Sequence, residues 1–576
     1  MKIKFLTLAL VIATANLFGN SSSPYRCKMS GNKLEADIIV IGGGAAGCVL
    51  MNQLSENGRF SVIGIEGGPN LTNDPAIEAV GLPAFLLAGT GKPQYFWPGW
   101  NQTLPMAGLN GRTSDWTTGM LLGGGSSING LYYGRGSNAV YSRWEGISGS
   151  SNWSLDNILA TFNALENYQG LTITPGARGV GGPVNVLQTP TVSQITSQVL
   201  LPATMQAFPD IPVVTDYNDP SVENCIDPRA QWFIDPTGTK RVSSATAFLN
   251  SAVMTPEGQG VNGHKLFMLF ESVAVKIVFD KHGRAKKVKY AKDGKIFEAK
   301  ARKAVVLASG INSSKLLQLS GIGPAEALRN AGIKPVFINE NVGKHLQNHP
   351  LIFFNLAADP ALIGVPAGAP YAFTIHNVYL PVVGGSASDP RMIQMLFEFI
   401  PTTPPLVAVG FNLLNPVSEG SVTIQSDNSF QIAAADDGFY NNLVDLENMK
   451  SAFKVYVKAL LDELKGMYPF PYFRPIVTDP INILVITDFK IDAFIEQYVK
   501  NNSNLSLDIH HFVSHCKMAP LNAGGVVDGD TRVYGTKNVF VADNSICPVI
   551  PDINTTAPAM MIGLRTSEIL KRVLSE

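Results

Sequence analysis

An α/β fold with a buried parallel sheet is the class this sequence predicts, and three observations predict it. A short β-branched run, Asp37-Ile38-Ile39-Val40-Ile41, leads directly into Gly42-Gly43-Gly44-Ala45-Ala46-Gly47. A helical pattern carrying Val49, Leu50 and Leu54 follows. A second apolar run over 61–65 then ends at Glu66, 19 residues after Gly47.

Each piece has a physical reason. The continuous apolar run suits a strand buried on both faces. The glycines match G-x-G-x-x-G: Gly42 permits the tight turn, Gly44 lets backbone approach a pyrophosphate, and Gly47 lets helix pack on strand. The helix that follows turns its free N–H groups toward phosphates. Glu66 is placed to accept a hydrogen bond from a ribose 2′-hydroxyl, and its charge disfavours a 2′-phosphate. Strand, glycines, helix, strand and acid in this order predict a dinucleotide site. Spacing alone leaves FAD and NAD open. Two later runs, 304–308 and 539–542, fit the same sheet.

Composition sets the outer limits. The chain has 576 residues, 45% hydrophobic and 15% charged, so it can bury a large core and is not globally disordered. Lys+Arg total 44 against 45 for Asp+Glu, a net charge of −1, which gives no sign of a nucleic-acid partner. Five cysteines (Cys27, Cys48, Cys225, Cys516, Cys547) do not make a disulfide scaffold; one bridge is allowed, with partners open. Lys2 and Lys4, the apolar run 5–13 and the Ala13-Thr14-Ala15 site read as a signal peptide over 1–15, cleaved before Asn16. The expected location is therefore secreted or periplasmic. Sequons at Asn70, Asn101, Asn152 and Asn504 are usable only in a eukaryotic secretory path. No later run is long enough for a stable membrane span.

A second glycine cluster, Gly123-Gly124-Gly125-Ser126-Ser127-Ile128-Asn129-Gly130, offers backbone to a flat ligand with few side chains in the way. The stretch from Leu121 to Gly136 resembles the first signature of the glucose–methanol–choline (GMC) flavin oxidoreductases, with Met120 where a basic residue is usual. Gly238 to Ala245 resembles the family's G-x-R-x-S-S-A element. Ser309 to Ser314 with Ser320 to Pro324 resembles its second signature, Gly310 and Ser314 standing where Ala and Pro are common. Gly343 to His349 is similar to its G-x-N-L-Q-D-H, with His345 and Asn348 altered. The matches run from about residue 36 to 572, and a His511/Asn554 pair further resembles the choline-dehydrogenase-like branch.

The resemblance implies FAD. Some members tether it through a histidine in the second glycine loop; Ile128 stands at that position, so non-covalent FAD is expected. It also implies an FAD-binding Rossmann-like lobe interleaved with an α+β substrate-binding lobe carrying an antiparallel sheet. The expected division is FAD lobe at 36–150, 238–315 and 505–576, and substrate lobe at 151–237 and 316–504. Cofactor contacts are expected at Gly42, Gly44, Gly47, Glu66, Gly124, Asn129, Val275, Asp543 and Asn544.

His511 to Met518 resembles the family's H-x-V-G-T-C-R-M, which puts His511 at its catalytic histidine; Ser514 and His515 replace Gly-Thr. Eleven residues after Asp543, Asn554 falls where relatives carry the second catalytic residue, His or Asn. The chemistry needs these types. Oxidising an alcohol removes its O–H proton while hydride leaves carbon for flavin N5. Histidine is best poised to take that proton near neutral pH. An amide donates to the alcohol oxygen without titrating. The substrate is then a small-molecule alcohol, with oxygen or another electron acceptor reoxidising the flavin. In the run Leu396 to Pro401, Glu398 stands where the resemblance places a flavin-facing histidine, so it is expected at the substrate, either on a cation or as an acid/base; an outward or Arg-paired carboxylate is the alternative. His515 is a second expected substrate contact, against a reading as a buried supporting residue. His511 and His515 are four apart, a zinc spacing on a helix, but no third ligand accompanies them and no metal is expected. A cyanohydrin lyase on the same scaffold is the rival activity, given the altered Ser514-His515 segment.

Overall fold

The computed structural model describes residues 29–30, 33–80, 95–97, 104–113, 116, 118–357, 374–400, 406–467, 473–475, 491–496 and 510–575. The proposed signal peptide and Cys27 lie outside these residues. Two sheets organise the chain. The first has eight strands. Its parallel centre is β1 (Lys33–Ile41), β2 (Val62–Ile65), β3 (Leu266–Leu269), β6 (Lys295–Leu307) and β7 (Val539–Val541). Strands β4 (Val273–Phe279) and β5 (Ala285–Lys292) extend it as an antiparallel meander, and Met29–Ser30 pairs with β1. The order is β3-β2-β1-β6-β5-β4, with β7 pairing in parallel with β6.

Ile38, Ile39 and Val40 are fully buried, as a continuous β-branched run with both faces covered requires. One face is covered by α1 (Ala45–Ser55) and the long C-terminal α2 (Thr556–Val573). These helices approach closely because Gly563 has no side chain; a Cβ there would stand 2.7 Å from the Ala46 carbonyl oxygen. The carboxyl ends of β1, β2, β6 and β7 deliver Gly42, Glu66, Ala308 and Asp543 to one edge, where open α/β sheets bind ligands.

The second sheet has six strands in the order 473–475, Leu351–Ala357, Leu406–Leu413, Ile393–Ile400, Thr374–Leu380, Cys225–Asp227, all antiparallel. Strand alternation divides its faces. Phe354, Met395, Phe397, Val409 and Phe411 point into an apolar core shared with the helices Leu201–Ala207 and Leu443–Ala452. Leu351, Phe353, Leu396, Glu398, Gly410 and Asn412 point the other way, over the first sheet's ligand edge. The large sheet thus draws strands from 33–65, 266–307 and 539–541, and the roof from 225–227, 351–413 and 473–475. No helix among the described residues is long and apolar enough to cross a membrane. Cys48, Cys225, Cys516 and Cys547 are buried free thiols.

Candidate active site

A cavity of about 550 Å³ runs between the two sheets. At its nucleotide end the glycines behave as their spacing requires. Gly42 has φ +99°, and a Cβ there would stand 2.4 Å from the Ala308 carbonyl oxygen. A Cβ on Gly47 would stand 1.9 Å from the Gly42 carbonyl oxygen. Gly44 differs: its missing Cβ faces open space, with only the Ala308 carbonyl oxygen at 3.9 Å. Gly42 and Gly47 therefore serve the turn and packing; Gly42 and Gly44 line the cavity, whereas Gly47, also expected at the cofactor, does not. Glu66 is buried and accepts from the backbone N–H groups of Gly43 (2.7 Å) and Gly68 (2.8 Å). Burial pushes its carboxyl up to about 7, against those two donors.

The second glycine loop forms the opposite wall. Gly124 and Asn129 line the cavity. Asn129 is held by the protein: its Nδ2 donates to Thr556 Oγ1 (3.0 Å), and its Oδ1 accepts from Leu131 N–H (3.0 Å) and Arg241 Nη1 (2.6 Å). Arg241 also reaches the Ser126 carbonyl, so the Gly238–Ala245 element supports the loop from behind. Asp543 accepts from Gly310 N–H (2.9 Å), Ser313 Oγ (2.6 Å) and Ser545 N–H (2.9 Å). Asn544 donates to the Thr555 carbonyl (3.0 Å), and its buried Oδ1 has no partner among the described residues. Val275 is a correction: Ser272, Val273 and Ala274 line the cavity and Val275 does not.

At the other end, His511 and Asn554 line the same cavity. His511 has its ring Nδ1 2.8 Å from His349 Nδ1, leaving Nε2 with no partner among the described residues. Burial, with the neighbouring His349 and His510, holds the His511 ring well below the usual histidine range. Asn554 carries a buried Oδ1 with no partner among the described residues, on a loop anchored by Asp552, which accepts from Ser137 N–H (2.8 Å). Glu398 reaches the cavity from the roof and makes no hydrogen bond or ion pair among the described residues. Burial pushes its carboxyl up to about 8, which favours the neutral acid near pH 7. Neither an outward-facing nor an Arg-paired carboxylate describes it.

His515 is the second correction. The backbone turns at Ser514 (φ +70°), and His515 is fully buried against Ser314, Nδ1 to Oγ 2.8 Å, away from the cavity. The segment is not helical, so His511 and His515 do not share a face. His349 is the residue sequence reasoning left without a role. The 343–349 motif contained it, but only folding sets it beside His511, 162 positions away.

A nucleotide crevice, two facing glycine loops and a histidine whose Nε2 has no partner among the described residues, all under an antiparallel roof, are the layout of an enzyme that holds a dinucleotide cofactor beside its substrate. Family models described as GMC oxidoreductase match residues 36–351 and 416–563, and the chain belongs to that family. It is an FAD-dependent enzyme of the alcohol-oxidising kind. Among its relatives, an oxygen-dependent choline dehydrogenase of Sinorhizobium fredii is 30% identical over 93% of this chain and 95% of its own length. Among solved structures, the pyridoxine 4-oxidase of Mesorbium loti is 23% identical with a TM-score of 0.75, covering 93% of this chain and 99% of that one. An Aspergillus oryzae RIB40 formate oxidase variant is 19% identical with a TM-score of 0.78, covering 94% and 98%. At those identities the structures speak for the fold alone.

Proposed function

We propose that this protein oxidises a small alcohol to an aldehyde or ketone, with His511 as general base and Asn554 as hydrogen-bonding partner. The observation that carries this reading is that His511 lines the cavity with its Nδ1 taken by His349 and its Nε2 without a partner among the described residues. The residues present fit FAD: the uncovered Gly44, the facing Gly124 and the unpartnered Asn544 Oδ1 leave a cradle with unused hydrogen-bonding capacity. When bound, FAD supplies the hydride acceptor. His511 Nε2 takes the hydroxyl proton; the ring's depressed pKa keeps that nitrogen unprotonated at neutral pH. Asn554 holds the alcohol oxygen as negative charge grows on it. Glu398 offers a hydrogen bond to a second polar group on the substrate. Ile128 at the tether position supports non-covalent FAD, and the oxygen-dependent relative makes oxygen the first acceptor to try. Lys2, Lys4 and the 5–13 run support export, with a mature chain starting at Asn16.

The test is an anaerobic titration of the purified flavoprotein with primary alcohols, including choline, pyridoxine and aryl alcohols. Bleaching of the flavin band names the substrate class, and readmitted oxygen separates oxidase from dehydrogenase. A band that never bleaches, with aldehyde released from mandelonitrile, would replace this reading with the lyase.

A further inference from the structure

We infer that His349 is the positioning residue of the reaction, setting the tautomer of His511 so that its Nε2 presents a lone pair to the alcohol. This rests on the reading of His511 as base. His349 is fully buried, two residues before the start of the roof strand Leu351–Ala357. Its Nε2 lies 3.0 Å from the Leu414 carbonyl oxygen. A carbonyl only accepts, so Nε2 carries the hydrogen. Burial lowers the ring to about 3, and the Leu414 and Pro551 carbonyls, which favour the charged form, only partly offset this. The ring therefore holds one proton, and its Nδ1 is bare. That bare nitrogen is 2.8 Å from His511 Nδ1, which must carry hydrogen and donate. His511 is also neutral, so its one hydrogen sits on Nδ1 and Nε2 is left as acceptor.

The opposite assignment fails twice. It would set a lone pair of His349 against the Leu414 carbonyl, and it would protonate His511 Nε2, making that atom a donor. The pair is held in register by Asn348. Its Oδ1 accepts the backbone N–H of both His349 (3.0 Å) and His511 (2.9 Å). Its Nδ2 donates to Asp437 Oδ1 (3.1 Å), whose other oxygen accepts from Trp116 Nε1 (2.7 Å). Trp116 packs on Phe512, the next residue along. The two imidazoles stand nearly perpendicular, at 85°. In the proposed step the alcohol O–H bond breaks, an N–H bond forms at His511 Nε2, and the imidazolium keeps donating from Nδ1 to His349. The proton stays on His511, and His349 stays neutral.

The decisive measurement is nitrogen-15 NMR of the FAD-loaded wild-type chain labelled at histidine. His511 is expected protonated at Nδ1 and His349 at Nε2; the reverse pattern overturns the inference. Kinetics supply the second arm. His349→Leu should lower kcat roughly a hundredfold, with KM within about twofold and FAD content unchanged. His349→Asn, whose Oδ1 can accept the same hydrogen, should recover at least about tenfold of that loss. Full kcat in His349→Leu, or two flavin-loaded variants equally slow, would overturn it. His376, buried on the far face of the roof against Thr204, is the control: His376→Leu should leave kcat alone. The NMR pattern is independent of turnover, so a failure of His511 as base shows separately, as undiminished activity in His511→Ala.

Discussion

The backbone N–H of Gly123 donates to the carbonyl oxygen of Gly43 at 2.7 Å, and this bond joins two glycine loops into one cradle. The contact continues at the next residue. Gly124 has φ +52°, and a Cβ there would stand 2.9 Å from Gly44 Cα. Alanine at 124 would force the loops apart, an overpacking strain of about 1–3 kcal/mol. Gly124→Ala should fold but purify largely without flavin. The ratio of visible to ultraviolet absorbance after gel filtration checks this; a full complement of flavin would contradict the shared cradle.

Removing the base should be costly without touching the cofactor. His511→Ala should lower kcat by about 10²- to 10⁴-fold with the flavin spectrum intact. Asn554→Ala should cost about 10²- to 10³-fold by losing the donor to the alcohol oxygen. Because the His511 ring is held well below the usual histidine range, kcat/KM should show no acid limb near the ordinary histidine value of about 6.5. The base fails only when pH falls through its lowered pKa. A profile measured down to about pH 5 that halves near 6.5 would refute that environment.

Glu398 gives a limb of the opposite sign. Its folded-state pKa, about 8, lies above the ordinary glutamate value of about 4.3. Its contribution to stability is therefore fully present below the unfolded value and is lost as pH rises through about 8. Glu398→Gln, neutral throughout, should gain Tm over wild type as pH is raised from about 5 to about 9. The same variant should remove any rise in KM for uncharged alcohols above about pH 8. Parallel Tm curves for the two proteins would mean that the Glu398 carboxyl is not buried alone.

The flavin linkage is open to a simple experiment. Ile128 is buried in the second glycine loop and lines the cavity. It has no nucleophilic atom, so acid precipitation should leave all yellow colour in the supernatant. Colour remaining on the washed pellet would show a covalent bond formed elsewhere.

Some of this was legible in the sequence because it depends on local chemistry. Gly42, Gly44, Gly47 and Glu66 could be given roles from spacing, since a tight turn, a close approach and a strand-end acid are decided within a few residues. Val275 lies one residue beyond the lining run Ser272-Val273-Ala274, and where along the strand the cavity ends is set by the packing of the other elements, which local sequence does not encode. His515 was misread because the positive φ of Ser514 turns the chain, a reversal that side-chain spacing does not encode.

Residue order alone determined the two-lobe α/β plan, the nucleotide signature and the presence of His511 and Asn554. Only the tertiary structure decided what His511 is. Its Nδ1 meets an imidazole at 349, whose Nε2 meets the carbonyl at 414, and these are brought together by a roof sheet whose strands meet through long-range pairing. Protonation follows the partners within hydrogen-bond reach and the water excluded around them, and both are properties of the packed molecule.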